Sequence, residues 1–275
     1  MRRNVMALVA ILVFAFPCLA LAEGSSLDVG LMSEYFDYKE DLNAPLKSTE
    51  SGWLPGAYLT YTYQKKMNFY TKAHLEYLSG DITFDGTTQG GTPVSFTDSS
   101  QKLFKLEWDL GYTFNIGGAF QLTPYVGYGY RYWQRGKTKI TPTYRSYEEE
   151  YSWSYVPVGI RADYAINSQL SVGGTMAVNI MFNGKMKAKL SQVVAGLNDP
   201  DFDLGNKTGF YTELPITYKI TRNWAIVGTP WYEYSAIGQS DNANITFGNT
   251  VIGYAYEPAS KTHQYGFRLG ASYTF

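Results

Sequence analysis

Eight charged residues fall at alternate positions of extended stretches: Glu34, Glu76, Glu107, Arg131, Arg161, Glu213, Glu233 and Arg268. Each shares a side with small or polar residues, while the intervening positions are apolar or aromatic, as in "FKLEWDLGYTF". Charges of both signs gathered on one face persist away from water only when paired and hydrogen-bonded. Such a set serves either as a structural plug or as the wall of a narrow ion or solute path. A second group is basic, with Arg135, Lys137 and Lys139 spaced by two, and Lys185, Lys187 and Lys189 likewise. Both series are expected to keep the phase of the charged face, with Glu148, Glu149 and Glu150 on the strand between them.

The elements that must position these residues are strands. Ten period-two runs recur, at 27–38, 53–64, 69–83, 102–114, 120–135, 149–165, 169–183, 207–219, 223–236 and 262–275. Links after the even runs are short ("KKMN", "NIGGA", "INSQ", "ITRN"), whereas those after the odd runs are long and polar, such as "DGTTQGGTPVSFTDSS" and "QSDNANITFGNTVIGYAYEPAS". Prolines 55, 124, 157, 215 and 230 interrupt the runs. Because proline removes a ladder donor, they are expected at bulges or near the rims.

Residues 1–22 read as a secretory signal peptide, with Arg2 and Arg3 before an apolar run and cleavage after "ALA", which leaves residues 23–275 as one domain. Removing the leader takes away Cys18 and leaves 21 basic against 24 acidic residues, a net charge of −3. An exported chain without cysteine uses no disulfide, and nothing in its charge suggests nucleic acid. Aromatics make up 17% of the chain and tyrosine alone 25 residues, the side chain suited to a membrane interface. Together these features predict an all-β fold: a closed antiparallel up-and-down transmembrane β-barrel of about ten strands, with short periplasmic turns and long outer loops. A sheet in lipid leaves no open edge, so the last strand is expected to pair with the first.

The alternating stretch that closes on Phe275 resembles the C-terminal signal by which Gram-negative outer-membrane barrels are recognised for assembly, which implies the barrel-assembly machinery as a partner. The layout also resembles the omptin surface proteases and the opacity-type barrels. The omptin family uses a rim histidine near an aspartate on the outer seventh strand, plus an aspartate pair across the mouth. Here the matching stretch is "NGKMKAKL", with neither histidine nor acid, although Asp81 and Asp85 could imitate the pair.

Only two histidines exist: His74 is expected in the lumen and His263 at the outer rim. The acids of "NDPDFD" lack EF-hand spacing, and no cofactor is implied. The expectation is a non-enzymatic outer-membrane barrel for surface interaction, adhesion or envelope integrity, its lumen plugged by the charged set. The alternatives are a narrow porin-like channel and a membrane-embedded hydrolase. Outer-membrane lipid and lipopolysaccharide are the expected surroundings. The six basic residues at the mouth would be either ion-paired stiffeners or an anion site for lipopolysaccharide phosphates or an acidic ligand. Arg268 is expected within reach of Glu233 or Glu34.

Overall fold

The computed structural model describes residues 24–64, 69–142 and 144–275. The leader expected at 1–22 and the turn "KKMN" lie outside the described residues. Ten strands form the wall: β1 (Ser25–Glu40), β2 (Ser48–Gln64), β3 (Phe69–Thr87), β4 (Pro93–Tyr112), β5 (Phe120–Arg135), β6 (Glu149–Ala165), β7 (Leu170–Ala188), β8 (Thr208–Glu213 with Ile216–Lys219), β9 (Trp224–Ile237) and β10 (Ser260–Thr274). Neighbours in sequence pair antiparallel, and β10 closes on β1 from Ser26↔Thr274 to Glu40↔Ser260. Closure satisfies both edges, as a sheet in lipid requires.

Alternation sorts the side chains. Leu31, Trp53, Trp108, Val126, Ile180 and Leu269 stand exposed on the outer face, while each has a buried sequence neighbour turned inside. Two outward polar atoms find partners on the wall itself: Trp108 Nε1 donates to Thr71 Oγ1 at 2.7 Å, and Tyr128 Oη lies 2.8 Å from Ser154 Oγ. Leu31 is 73% exposed, which is the placement expected of a lipid-facing leucine rather than of a core one.

Several boundaries differ from the sequence expectation. The stretch "DGTTQGGTPVSFTDSS" is mostly strand, because β3 and β4 continue their ladder out to Thr87↔Pro93. The long β9–β10 connection contains a hairpin of its own, Ala243–Phe247 with Thr250–Ala255. Of the strand prolines, Pro215 sits at the break in β8, and Pro55 and Pro157 fall where paired residues are missing from one adjoining ladder. Pro124 and Pro230 lie opposite Ile160 and Phe267 on one side, but on the other they too fall in a ladder gap, between Gly111↔Tyr125 and Phe114↔Leu122 and between Glu213↔Trp231 and Ile216↔Gly228.

The largest departure is in β7. The register against β6 slips between Phe182 and Lys185, and Asn183 takes a left-handed φ of 53°. This bulge inserts a residue and reverses the alternation, so Gly184, Met186 and Ala188 turn inward and Lys185 and Lys187 point out. Asparagine tolerates this conformation better than most residues. Asn183→Gly should therefore hold stability within about 1 kcal/mol, whereas Asn183→Val should lose about 1–2 kcal/mol. Urea midpoints of the folded barrel would check both, and equal midpoints would show that the bulge is unstrained.

Candidate functional site: stacked side-chain layers between two vestibules

Two open spaces enter the barrel from its ends, and their linings share no residue. The outer vestibule, of about 530 Å³, is bounded by Glu40, Glu50, Phe84, Arg135, Tyr147 and Glu257 among others. The periplasmic one, of about 310 Å³, is bounded by Asp28, Tyr58, Lys72, Arg161, Glu213 and Arg268 among others. Between them the lumen is filled in three layers, and a void of about 30 Å³ lies beside Lys105, Arg131 and Trp231.

The middle layer is ionic. Glu233 on β9 accepts from Arg131 on β5 and from Lys105 on β4 at 3.2 Å, while its other oxygen accepts from Asn179 on β7 at 3.2 Å. Arg131 also donates to Gln264 (2.9 Å), which in turn donates to Glu34 (2.6 Å). Glu107 accepts from the Tyr155 hydroxyl at 2.6 Å. That tyrosine lies over its β5 neighbour Gly129, where any Cβ would collide with its ring. Arg268 bridges Glu76 (3.0 Å) and Glu213 (2.9 Å), and Glu76 also meets His74 at 2.8 Å. His74 is thus the lumen hydrogen-bonding residue that its phase indicates, with Thr60 at 2.6 Å on its other nitrogen.

Seven of the eight charged residues predicted to face inward join this layer. Arg161 does not: it pairs with Asp163 on its own strand at 2.7 Å, in the periplasmic vestibule. Arg268 faces the lumen as expected, but neither Glu233 nor Glu34 is its partner. Long side chains in a narrow, sheared barrel reach across the lumen as readily as to adjacent strands, so β9 pairs with β4 and β5, while Arg268 finds β3 and β8. Gln264, Asn179 and Tyr155 were not singled out among the site residues. Their inward phase was readable, but nothing in a neutral side chain's type marks it as a network member.

Above this layer lies an aromatic one. Trp133 packs against Phe36, Tyr38 and Tyr151 with ring centroids 5.3, 5.0 and 4.6 Å apart, and its Nε1 donates to Gln101 at 2.6 Å. On top sits Arg135, 7% exposed, its guanidinium among Glu40 (2.8 Å), Glu50 (2.9 Å) and Glu149 (2.8 Å). Glu257 joins through the Tyr151 hydroxyl at 2.6 Å. Burial first, then the nearby Glu149 and Glu40 carboxylates, hold the Glu257 carboxyl well above its usual range.

The two basic series do not form a common site. Arg135 is buried in the acidic cluster. Lys137 lies 3.6 Å from Asp98, and Lys139 bonds the same carboxylate, holding it below the usual range. The Asn183 bulge sends the other series outward, where Lys185 meets Asp203, Lys187 meets Asp201 at 3.2 Å and Lys189 meets Glu150 at 3.2 Å. Asp201 and Asp203 of "NDPDFD" therefore serve as ion-pair partners, Asp199 accepts from the Ser191 amide at 2.9 Å, and Glu149 faces Arg135. Every member of both series has a carboxylate beside it, so neither series stands as unpaired positive charge.

Asp81 and Asp85, which could imitate the protease pair, lie beside Lys137 (3.9 Å) and Lys47 respectively. His263 stands on the outer face, 2.9 Å from the Tyr232 hydroxyl. No group of acids, histidines and cysteines among the described residues is arranged to hold a metal ion.

A closed antiparallel barrel, apolar outside and polar within, defines an outer-membrane protein. The chain belongs to the outer membrane protein beta-barrel domain family, whose model matches residues 6–198. The outer membrane protease OmpT from Escherichia coli has a similar fold, with a TM-score of 0.60 at 10% identity over 91% of this chain and 96% of that one. The translocator domain of the autotransporter NalP from Neisseria meningitidis aligns at TM-score 0.47 and 11% identity, over 99% and 98% of the two chains. The outer membrane protein OprG from Pseudomonas aeruginosa aligns at 0.41 and 15%, over 92% and 96%. Comparison with curated proteins by sequence finds no match.

Proposed function

We propose that this outer-membrane protein is a non-enzymatic barrel, closed to solutes by its own side chains, which acts through its outer loops in surface interaction or envelope integrity. The carrying observation is the stack of ionic and aromatic layers between two vestibules that share no lining residue. The pairing of Lys137, Lys139, Lys185, Lys187 and Lys189 with carboxylates supports ordinary stiffening of the outer hairpins, worth about 0.2–1 kcal/mol per exposed pair. Lipopolysaccharide and lipid would contact the apolar wall, the barrel-assembly machinery would meet β10, and any extracellular ligand would be held by the loops.

The competing reading is a narrow channel through the void beside Lys105 and Arg131. Planar bilayer recordings separate the two. The purified barrel should give no recurring unitary current at physiological salt, and steps of uniform size would establish the channel and overturn the closed-lumen reading.

A further inference from the structure

Two buried polar atoms in the middle layer have no hydrogen-bond partner among the described residues, and each belongs to a side chain that borders a void. One is the indole Nε1 of Trp231 on β9, and the other is the side-chain oxygen of Asn179 on β7, whose nitrogen is committed to Glu233. Both side chains are more than nine-tenths buried, at 6% and 7% exposed. Trp231 borders the void of about 30 Å³, together with Glu34, Glu76, Lys105, Arg131 and Gln264. Asn179 borders a second void of about 20 Å³, together with Tyr155, Met181 and Glu233. Arg131 and Trp153 border both, the guanidinium lying 5.9 Å from the indole centroid.

A buried donor or acceptor left without a partner is costly, and protein interiors supply one from another side chain or from ordered water. Other indoles of this barrel follow that rule: Trp133 Nε1 donates to Gln101 at 2.6 Å, and Trp108 Nε1 donates to Thr71 at 2.7 Å. A single water needs roughly 10–15 Å³ and two to four polar partners. Both voids exceed that volume, and both are lined by donors and acceptors. A bare ion fits less well. Around the first void the carboxylates of Glu34 and Glu76 balance the cations of Lys105 and Arg131, so a charge of either sign would meet repulsion as well as attraction. At the second, a cation would meet Arg131, and an anion would meet Glu233 and the Asn179 oxygen. Water donates and accepts without adding charge.

We propose that the two voids are internal hydration sites, in which water accepts from Trp231 Nε1 at the first and donates to the Asn179 side-chain oxygen at the second. A water that accepts from the indole has two protons left for the carboxylates of Glu34 and Glu76 on the same wall. At the second site the proton not given to Asn179 is directed to Glu233. Bound water thereby completes the hydrogen bonding of the ionic layer, which protein atoms by themselves leave open at these two positions. Arg131 and Trp153 form the wall between the voids, so the sites are two pockets. The inference goes beyond the closed-lumen reading, because it specifies what fills the spaces that the side chains do not.

A crystal structure of the folded barrel that orders internal solvent should show water within hydrogen-bond distance of Trp231 Nε1 and of the Asn179 oxygen. Trp231→Phe keeps a ring and removes the donor, so it should lose the first water and keep the second. In membranes, X-ray radiolysis generates hydroxyl radicals from bound water, and these label the side chains beside it. Met181 borders the second void and Met32 borders neither, although the two are buried alike at 5% and 4% exposed. Met181 should therefore be labelled severalfold faster than Met32. Density and labelling are both read on the wild-type protein, so the test stands even if heat-modifiable mobility shows Trp231→Phe to be misfolded. Absence of water at one of the two positions, an ion in its place, or equal labelling of the two methionines would overturn the proposal. Uniform current steps with both waters in place would keep it and remove the closed-lumen reading, whereas a silent barrel with dry voids would do the reverse.

Discussion

Arg135→Met should lower the stability of the folded barrel by about 3–5 kcal/mol, the range for breaking a buried ion pair by removing one partner. Among the described residues Arg135 is the one guanidinium in contact with Glu40, Glu50 and Glu149, and it also donates to Ser48 at 2.9 Å. Methionine keeps much of the volume but leaves the three carboxylates facing each other above the Trp133 layer. The deficit should depend on pH. Burial and the neighbouring Glu40, opposed by Arg135, hold the Glu149 carboxyl above its usual range, and burial with Glu149 and Glu40 holds Glu257 well above its own.

An acid whose pKa is raised by folding keeps its proton in the fold after the unfolded chain has lost it. Stability therefore falls as pH rises from the ordinary carboxyl value of about 4.3 through the folded one. The Arg135→Met deficit should accordingly be smaller at pH 5 than at pH 8, since protonation relieves the repulsion that the guanidinium had offset. Glu257→Gln, which can still accept from Tyr151, should flatten the wild-type dependence. Urea midpoints at the two pH values measure all three effects. An equal deficit at both would mean that the cluster does not titrate in this window.

Glu233→Met should be as damaging, at about 3–5 kcal/mol, because it strands Arg131 and Lys105 together in the middle layer. The informative comparison is the triple variant Lys105→Met, Arg131→Met and Glu233→Met. Replacing a whole buried ionic group by apolar side chains of similar volume is often neutral, and can stabilise by about 1–4 kcal/mol. If the layer only fills and closes the lumen, the triple variant should recover most of the loss and remain electrically silent. A triple variant as unstable as Glu233→Met would show that the hydrogen bonds Asn179 donates to Glu233 and Gln264 accepts from Arg131 matter beyond filling the lumen.

Much of the barrel was legible because a strand's side chains alternate strictly. Once the runs were found, the lumen faces of Glu34, Glu76, Glu107, Glu213, Glu233 and Arg268 followed from parity alone. The same rule failed in β7, where one extra residue at Asn183 reverses parity for everything beyond it. The dipeptide Asn183-Gly184 was the available signal, since both residues accept left-handed backbone. Extended pairing in the β3–β4 hairpin was hidden by polar residues such as Thr97 and Ser99, which turn signals and strands share outside the membrane.

Sequence by itself determined that this chain forms antiparallel strands with an apolar outer face, and which charges in most strands turn inward, because both depend on spacing within a strand. Only the tertiary structure decided which charge meets which. In a closed, tilted sheet, height depends on the shear between strands, and a long side chain spans the narrow lumen. Glu233 therefore bonds Arg131 and Lys105 across the barrel, while Arg268, a neighbour of β9 in the wall, turns to Glu76 and Glu213.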